Sequence, residues 1–305
     1  MRVFVAGGTG AIGGHAIPAL LEAGHEVTAL ARTPDKAAAL KAQGARPVKA
    51  SLFDREALTP VLAGHDAVVN LATAIPSMDR FMNAEALRTA YRVRSEGSAA
   101  LADAALAAGV GRMVQESVSM VYHDQGAAWI DEGSPVDDYP MTRGNFAAEA
   151  SARRFARTGG GAGVVLRFGW FYGPGAAHSE QLFAMARHHV GMVLGRPGGY
   201  VSSIHMADAG SAVAAALEAP AGTYNVVDDE PLTKRAYSFA LSQAAGATAW
   251  VRGPGRAAYL FGDRLTSLTR SLRVANGRFR AAAGWAPRHR SAREGWLATA
   301  RVLGR

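Results

Sequence analysis

Apolar and polar positions alternate in blocks along the first half of the chain. Val3 to Ala6 form a short run with no polar side chain, the character of a buried strand. Apolar residues at helical spacing follow from Ile12 to Ala23, Gly24 stops them, and His25 to Ala31 returns to strand. The alternation continues with helix Asp35 to Gln43, strand Arg46 to Leu52, helix Asp54 to Ala63 and strand Asp66 to Ala72. A long helix, Ala84 to Ala108, precedes strand Arg112 to Glu116, which runs into Ser117 to Tyr122. Strands and helices in strict alternation predict an α/β protein with a doubly wound parallel sheet. Gly126 to Gly144 reads as a surface loop leading to helix Asn145 to Arg157. Beyond it, helices Ser179 to Val193 and Asp208 to Glu218, with the terminal helices, predict a smaller C-terminal substrate lobe. The expected division is 1–170 for the sheet unit and 171–305 for the lobe, interleaved with the last sheet strands. Pro18, inside the first helix, predicts a kink.

Glycines mark the first seam between strand and helix. In Val5-Ala-Gly-Gly-Thr-Gly-Ala-Ile-Gly13, Gly7 permits a tight turn, Gly10 lets backbone approach a pyrophosphate, and Gly13 lets the helix pack closely on the sheet. The anion would rest on free N–H groups at the positive end of the helix beginning near Ala11. The strand, helix and second strand complete a βαβ unit of roughly 30 residues, which dinucleotide binding requires. At the end of the second strand, where a carboxylate would hold the ribose of NAD(H), stands Ala31, followed by Arg32 and Thr33. A guanidinium there suits a 2′-phosphate, so NADP(H) is expected in preference to NAD(H), which stays open.

Composition narrows the picture. No run approaches the roughly 18 apolar residues of a membrane span and the first strand begins at once, so neither a membrane nor a secretory signal is expected. With no cysteine, disulfides and thiolate catalysis are excluded, and a cytoplasmic location is the compatible expectation. The net charge of +8 comes from the second half: residues 1–150 hold 13 Lys and Arg against 17 Asp and Glu, the remainder 20 against 8. An anionic substrate and a solvated arginine face both account for it; nucleic acid is not expected, because no recognition motif accompanies the charge. The adjacent His188 and His189 would point to different sides of a helix, so no metal is expected. No Gly-x-Ser-x-Gly elbow indicates a serine hydrolase.

Several segments together resemble the extended or atypical short-chain dehydrogenase/reductase superfamily, which includes NAD(P)-dependent epimerases and dehydratases. They are Gly7 to Gly13, Val69-Asn-Leu-Ala72, Leu166-Arg-Phe-Gly-Trp-Phe-Tyr-Gly-Pro174, Ile204-His-Met-Ala-Asp208, Thr223 to Val227 and Gly284-Trp-Ala-Pro287. The resemblance implies a Rossmann fold in which Gly7, Thr9, Gly10, Ala11, Ile12 and Gly13 hold the pyrophosphate. It places Ser51, Leu52, Leu71, Ala72 and Thr73 around adenine and ribose, with Ser51 where relatives commonly carry an aspartate. It also puts Phe168 to Trp170 and Tyr200 to His205 around nicotinamide and a small-molecule substrate. His205 has a second reading, as a buried histidine that only satisfies a backbone group. The aromatics Trp170, Phe171, Tyr200, Trp250 and Phe261 are candidates to line an apolar pocket.

The superfamily's chemistry rests on a tyrosine with a lysine four residues later, whose charge favours tyrosinate, and a nearby serine. None of the eight tyrosines here is followed at that spacing by lysine; only Tyr139 with Arg143 keeps a cation there. A second alignment takes Glu149 as the acidic residue that follows the lysine by four, which puts Met141 and Asn145 at the tyrosine and lysine positions. The serine position falls on Val118, flanked by Ser117 and Ser119. The expectation is an NADP(H)-binding oxidoreductase or epimerase-like enzyme acting on a carbonyl or alcohol, with Tyr139, Arg143 and Ser117 as candidate catalytic residues. The rival is a cofactor-binding sensor without turnover. A homodimer is compatible with either.

Overall fold

The structure, a computed structural model, describes residues 1–74, 83–159 and 161–304. Strands β1 (Arg2–Ala6), β2 (Glu26–Leu30), β3 (Arg46–Val48), β4 (Ala67–Asn70) and β5 (Arg112–Val118) join Ala162–Phe168 and Gly222–Val226 in one seven-stranded sheet. Its order is Gly222–Val226, Ala162–Phe168, β5, β4, β1, β2, β3, and every pairing is parallel. The chain reverses direction across the sheet between β1 and β4, the crevice where such sheets bind ligands. Strand periodicity divides the core in two. Val3, Val5 and Val69 pack with Ile17 and Leu20 under helix α1 (Gly13–Glu22), whereas Phe4, Val68 and Met113 face Leu58, Leu62 and Leu101 on the other side. The α1 helix runs unbroken through Pro18.

Helices α2 (Pro34–Ala42) and α3 (Arg55–Leu62) are capped by Thr33 and Asp54, whose side chains accept from Lys36 and Ala57 N–H. The helix expected over 84–108 forms as α4 (Ala84–Arg92) and α5 (Ser98–Ala107), joined by a π-turn at Val93–Gly97. Such insertions swing side chains out of helical register, and here the turn buries Arg94. Helix α6 (Arg143–Gly159) starts just before the expected position and packs on β5.

Two departures occur in the second half. The helix expected over Ser179–Val193 stops at Arg187 (α7, Ala177–Arg187); His189 turns the chain with φ +63°, and Val190–Leu194 becomes a strand paired with Val251–Gly255. Its Val-rich end favours the pleated surface over a further helical turn. The loop expected over 126–144 contributes Trp129–Ile130 to a two-residue parallel pairing with Arg273–Val274. Helix α8 (Met206–Ala215) packs on α1, and α9 (Lys234–Ala244) on the terminal helix Ala292–Leu303. Several second-half arginines stitch these parts together: Arg270 pairs with Asp137, Arg196 with Asp124 and Arg280 with Asp229. Among the described residues, no helix is long and apolar enough to cross a membrane.

Candidate functional site

The turn after β1 is built by close backbone contact. Gly7 has φ +85°, and a Cβ there would stand 2.5 Å from the Leu71 carbonyl at the end of β4. A Cβ on Gly13 would come within 2.5 Å of the Gly7 oxygen, so α1 can start this close to the sheet only with glycine. Gly10 and Ala11 remain exposed and Thr9 half-buried, leaving the cradle open. Unlike α2 and α3, α1 has an apolar N-cap, Ile12, with no capping side chain and no acidic residue in its first turn. Its free N–H groups and positive end therefore fit a diphosphate.

Around the cradle, Arg32 is exposed at the end of β2 beside buried Ala31 and makes no ion pair among the described residues. Thr33 caps α2 with its hydroxyl. Ser51 accepts from the Phe53 N–H at 3.3 Å, and Leu52 packs under the π-turn against Gly97. Leu71 is buried, while Ala72 and Thr73 are half-buried at the crevice. Asn70, buried between β1 and β5, donates to Ser98 and Gln115 at 2.9 Å each and accepts from the Ala72 N–H, fixing the turn out of β4.

The expected catalytic set does not assemble. Tyr139 lies before α6, not on it; its hydroxyl donates to the Met120 carbonyl at 3.0 Å and lies 2.8 Å from Ser267 Oγ. Burial raises its pKa, against only partial relief from Ser267 and from Arg270, whose guanidinium sits 4.4 Å over the ring. Arg143 turns away to Asp138 on the surface, at 3.4 Å. Ser117 is fully buried and donates to Glu149 Oε1 at 2.7 Å. Arg167 also grips Glu149, with Nε and Nη2 each at 2.8 Å, and Arg153 adds a third cationic contact. Burial alone would raise the Glu149 carboxyl, but these donors hold it below the usual carboxylate value. Beside them, Val118 and Met141 are half-buried apolar side chains, and Asn145 is buried one turn before Glu149. Arg94, delivered by the π-turn, reaches Glu116 at 3.0 Å.

Among the residues expected around nicotinamide and substrate, Phe168 lies wholly in the core, so only its backbone can face a ligand. Trp170 is half-buried, edge-on to His178, and Tyr200 lies under the Arg273 guanidinium. Trp250 does not line a pocket as expected: it is 76 % exposed, stacked on His189. The Phe261 side chain lies outside the described residues. His205 accepts from the Ala207 N–H, capping α8, so its backbone-satisfying reading is realised. Sequence reasoning missed its neighbours: the His289 ring lies 4.1 Å away, and Asp208 accepts from His289 Nδ1 at 2.8 Å and from the Arg288 and His289 N–H groups. The ligand atoms of His205, Asp208 and His289 lie within 4.8 Å of one another, yet the two rings face each other with 40° between planes. Lone pairs on facing rings do not converge on a common ion. Burial and the His289 charge lower the His205 pKa from 6.5 to about 4. Asp208 stands three residues after His205, in the segment Ile204 to Asp208 already singled out, whereas His289 is remote in sequence and no spacing joins it to them.

The chain belongs to the NAD(P)H-binding family, which matches residues 7–220, and its structural neighbours are NAD-dependent epimerases and dehydratases of the extended short-chain dehydrogenase/reductase kind. It is 36 % identical to a 3-diazoavenalumate denitrifying reductase from a Streptomyces species, over 97 % of this chain and 99 % of that one. It is 31 % identical to a farnesyl-dihydroquinoline-oxide ketoreductase from Stigmatella aurantiaca, over 82 % and 75 %. Among solved structures, the dTDP-glucose 4,6-dehydratase of Streptomyces venezuelae with NAD superposes with a TM-score of 0.80 at 25 % identity, covering 99 % and 96 %. A human epimerase family protein with NADPH has the same fold, with a TM-score of 0.82 at 24 % identity over 99 % of each chain.

Proposed function

We propose that this chain is an NADP(H)-dependent reductase that delivers hydride to a small, electron-poor acceptor of the aromatic diazo class without drawing a proton from a protein acid. The observation that carries this reading is the state of the groups expected to move the proton. Tyr139 and Ser117 have their hydroxyls committed to Met120 and Glu149, Arg143 faces solvent, and the neighbouring Val118 and Met141 are apolar. A carbonyl acceptor becomes an alkoxide as it takes hydride and needs an acid nearby. An aryl diazonium carries its own positive charge and does not. The name of the Streptomyces relative, a diazo-compound reductase that denitrifies, supports that acceptor class.

Bound in the cradle, the nicotinamide nucleotide supplies a hydride. Gly7 to Gly13 would hold its diphosphate, Arg32 would pair with a 2′-phosphate, and the turn fixed by Asn70 would border the ribose. The acceptor's terminal nitrogen gains the hydride, the carbon–nitrogen bond breaks, dinitrogen leaves, and the N–H proton ends on the ring carbon. Atoms and electrons balance with no protein proton. The residues around β5 then serve to orient the ring and exclude water.

The test is incubation with 4-deuterated NADPH and a panel of aryl diazonium salts, ketones and nucleotide sugars. Arene and dinitrogen, one of each per NADPH oxidised, are expected from the diazonium alone, the N–D deuteron exchanging with water on the way. Turnover of ketones or nucleotide sugars, abolished in Tyr139→Phe, would overturn the reading.

A further inference from the structure

Residues 250–260 run from the edge of the strand Val251–Gly255, paired with Val190–Leu194, into the turn that follows it. Their large apolar side chains are exposed: Trp250 is 76 % exposed, Val251 62 %, Tyr259 45 % and Leu260 88 %. The segment adjoins two further pieces of surface. Trp250 stacks on His189, which follows exposed Arg187 and His188, and a cleft lined by Val193, Pro197, Arg235, Gly253 and Gly255 joins it to α9. One turn along α9 from exposed Arg235 stands Phe239, 51 % exposed. Across 187–193, 235–239 and 250–260 the sequence has no Asp or Glu, while Arg187, Arg235 and Arg256 are exposed.

We propose that this strip docks the protein on an anionic phospholipid surface. Exposed apolar side chains of this kind call for a partner, and arginines that make no ion pair among the described residues give that partner negative charge. A second copy meeting the same face would set these arginines against their own images. Exposed Trp, Leu and Val on segments that also expose arginines suit an interface that is apolar below and anionic above. A nucleic acid would gain nothing from the aliphatic side chains.

Co-sedimentation of the full-length protein with phosphatidylcholine vesicles, with or without phosphatidylglycerol, tests this. Binding is expected only to the anionic vesicles, reversed by high salt. The double variant Val251→Ser with Leu260→Ser, and separately Arg235→Gln with Arg256→Gln, should each weaken it about tenfold or more while NADPH affinity is unchanged. No sedimentation with anionic vesicles, or sedimentation unaffected by either variant, would overturn the proposal. So would a dimer in light scattering that Val251→Ser with Leu260→Ser dissociates, or a preference for RNA over the vesicles.

Discussion

Gly13 and Tyr139 show how differently two residues from the same sequence reading stand in the fold. A methyl group on Gly13 meets the backbone of Gly7 and Gly8 at 2.5 Å, atoms that cannot swing aside as a side chain could. Gly13→Ala should therefore push α1 off β1, lowering thermal stability and abolishing NADPH binding by calorimetry; a variant that binds normally would mean the cradle lies elsewhere. Tyr139→Phe removes the hydroxyl's hydrogen bonds to the Met120 carbonyl and to Ser267 and should cost about 1 to 2 kcal/mol in urea unfolding. With the diazonium acceptor its kcat should stay within a factor of about two, since no proton passes through the phenol.

At the scale of elements, the ion cluster that joins α6 to β5 and to Ala162–Phe168 matters more than any single cap. Glu149 is fully buried between Ser117, Arg153 and Arg167. Arg167→Met would leave its carboxylate short of the principal charge partner, a loss of about 3 to 5 kcal/mol measurable by denaturant unfolding. Glu149→Gln together with Arg167→Met removes both charges and should recover much of that loss; equal losses in single and double variants would mean the ion pair is not what couples the helix to the sheet. The strand and helix alternation that frames this cluster was legible from apolar spacing; the cluster was not, and Glu149 entered the sequence reading only as the acidic residue of a second alignment with the family. What the chain did not reveal was the π-turn at Val93–Gly97, because a one-residue insertion barely disturbs the helical pattern around it. The strand Val190–Leu194 was also hidden, since a short apolar run suits helix and strand alike until a partner, here Val251–Gly255, decides.

For the whole molecule, stability depends on groups distant in sequence, which no local pattern could expose. Asp208 ties the segment before the terminal helix to α8 through Arg288 and His289, and His205 is buried beside them. His205 titrates at 6.5 when unfolded and about 4 when folded, so its contribution is full above 6.5 and is lost as pH falls from 6.5 toward 4. Burial would raise the Asp208 carboxyl, but its hydrogen bonds with His289 and Arg288 hold it low, and its contribution, like that of Glu149, disappears at still lower pH. Tm should therefore fall as pH drops from 6.5 to 4. His205→Asn, which retains an acceptor for the Ala207 N–H, should flatten that slope; an unchanged slope would place the proton-linked step elsewhere.

In the proposed function, the open turn after β1, with Arg32 beside it, holds a phosphorylated nicotinamide nucleotide. Calorimetric titration of the unmodified protein with NADPH and with NADH tests it most directly. NADPH should bind at least about tenfold more tightly, as a guanidinium paired with phosphate requires. Equal affinity for the two nucleotides, or heat from neither, would contradict it.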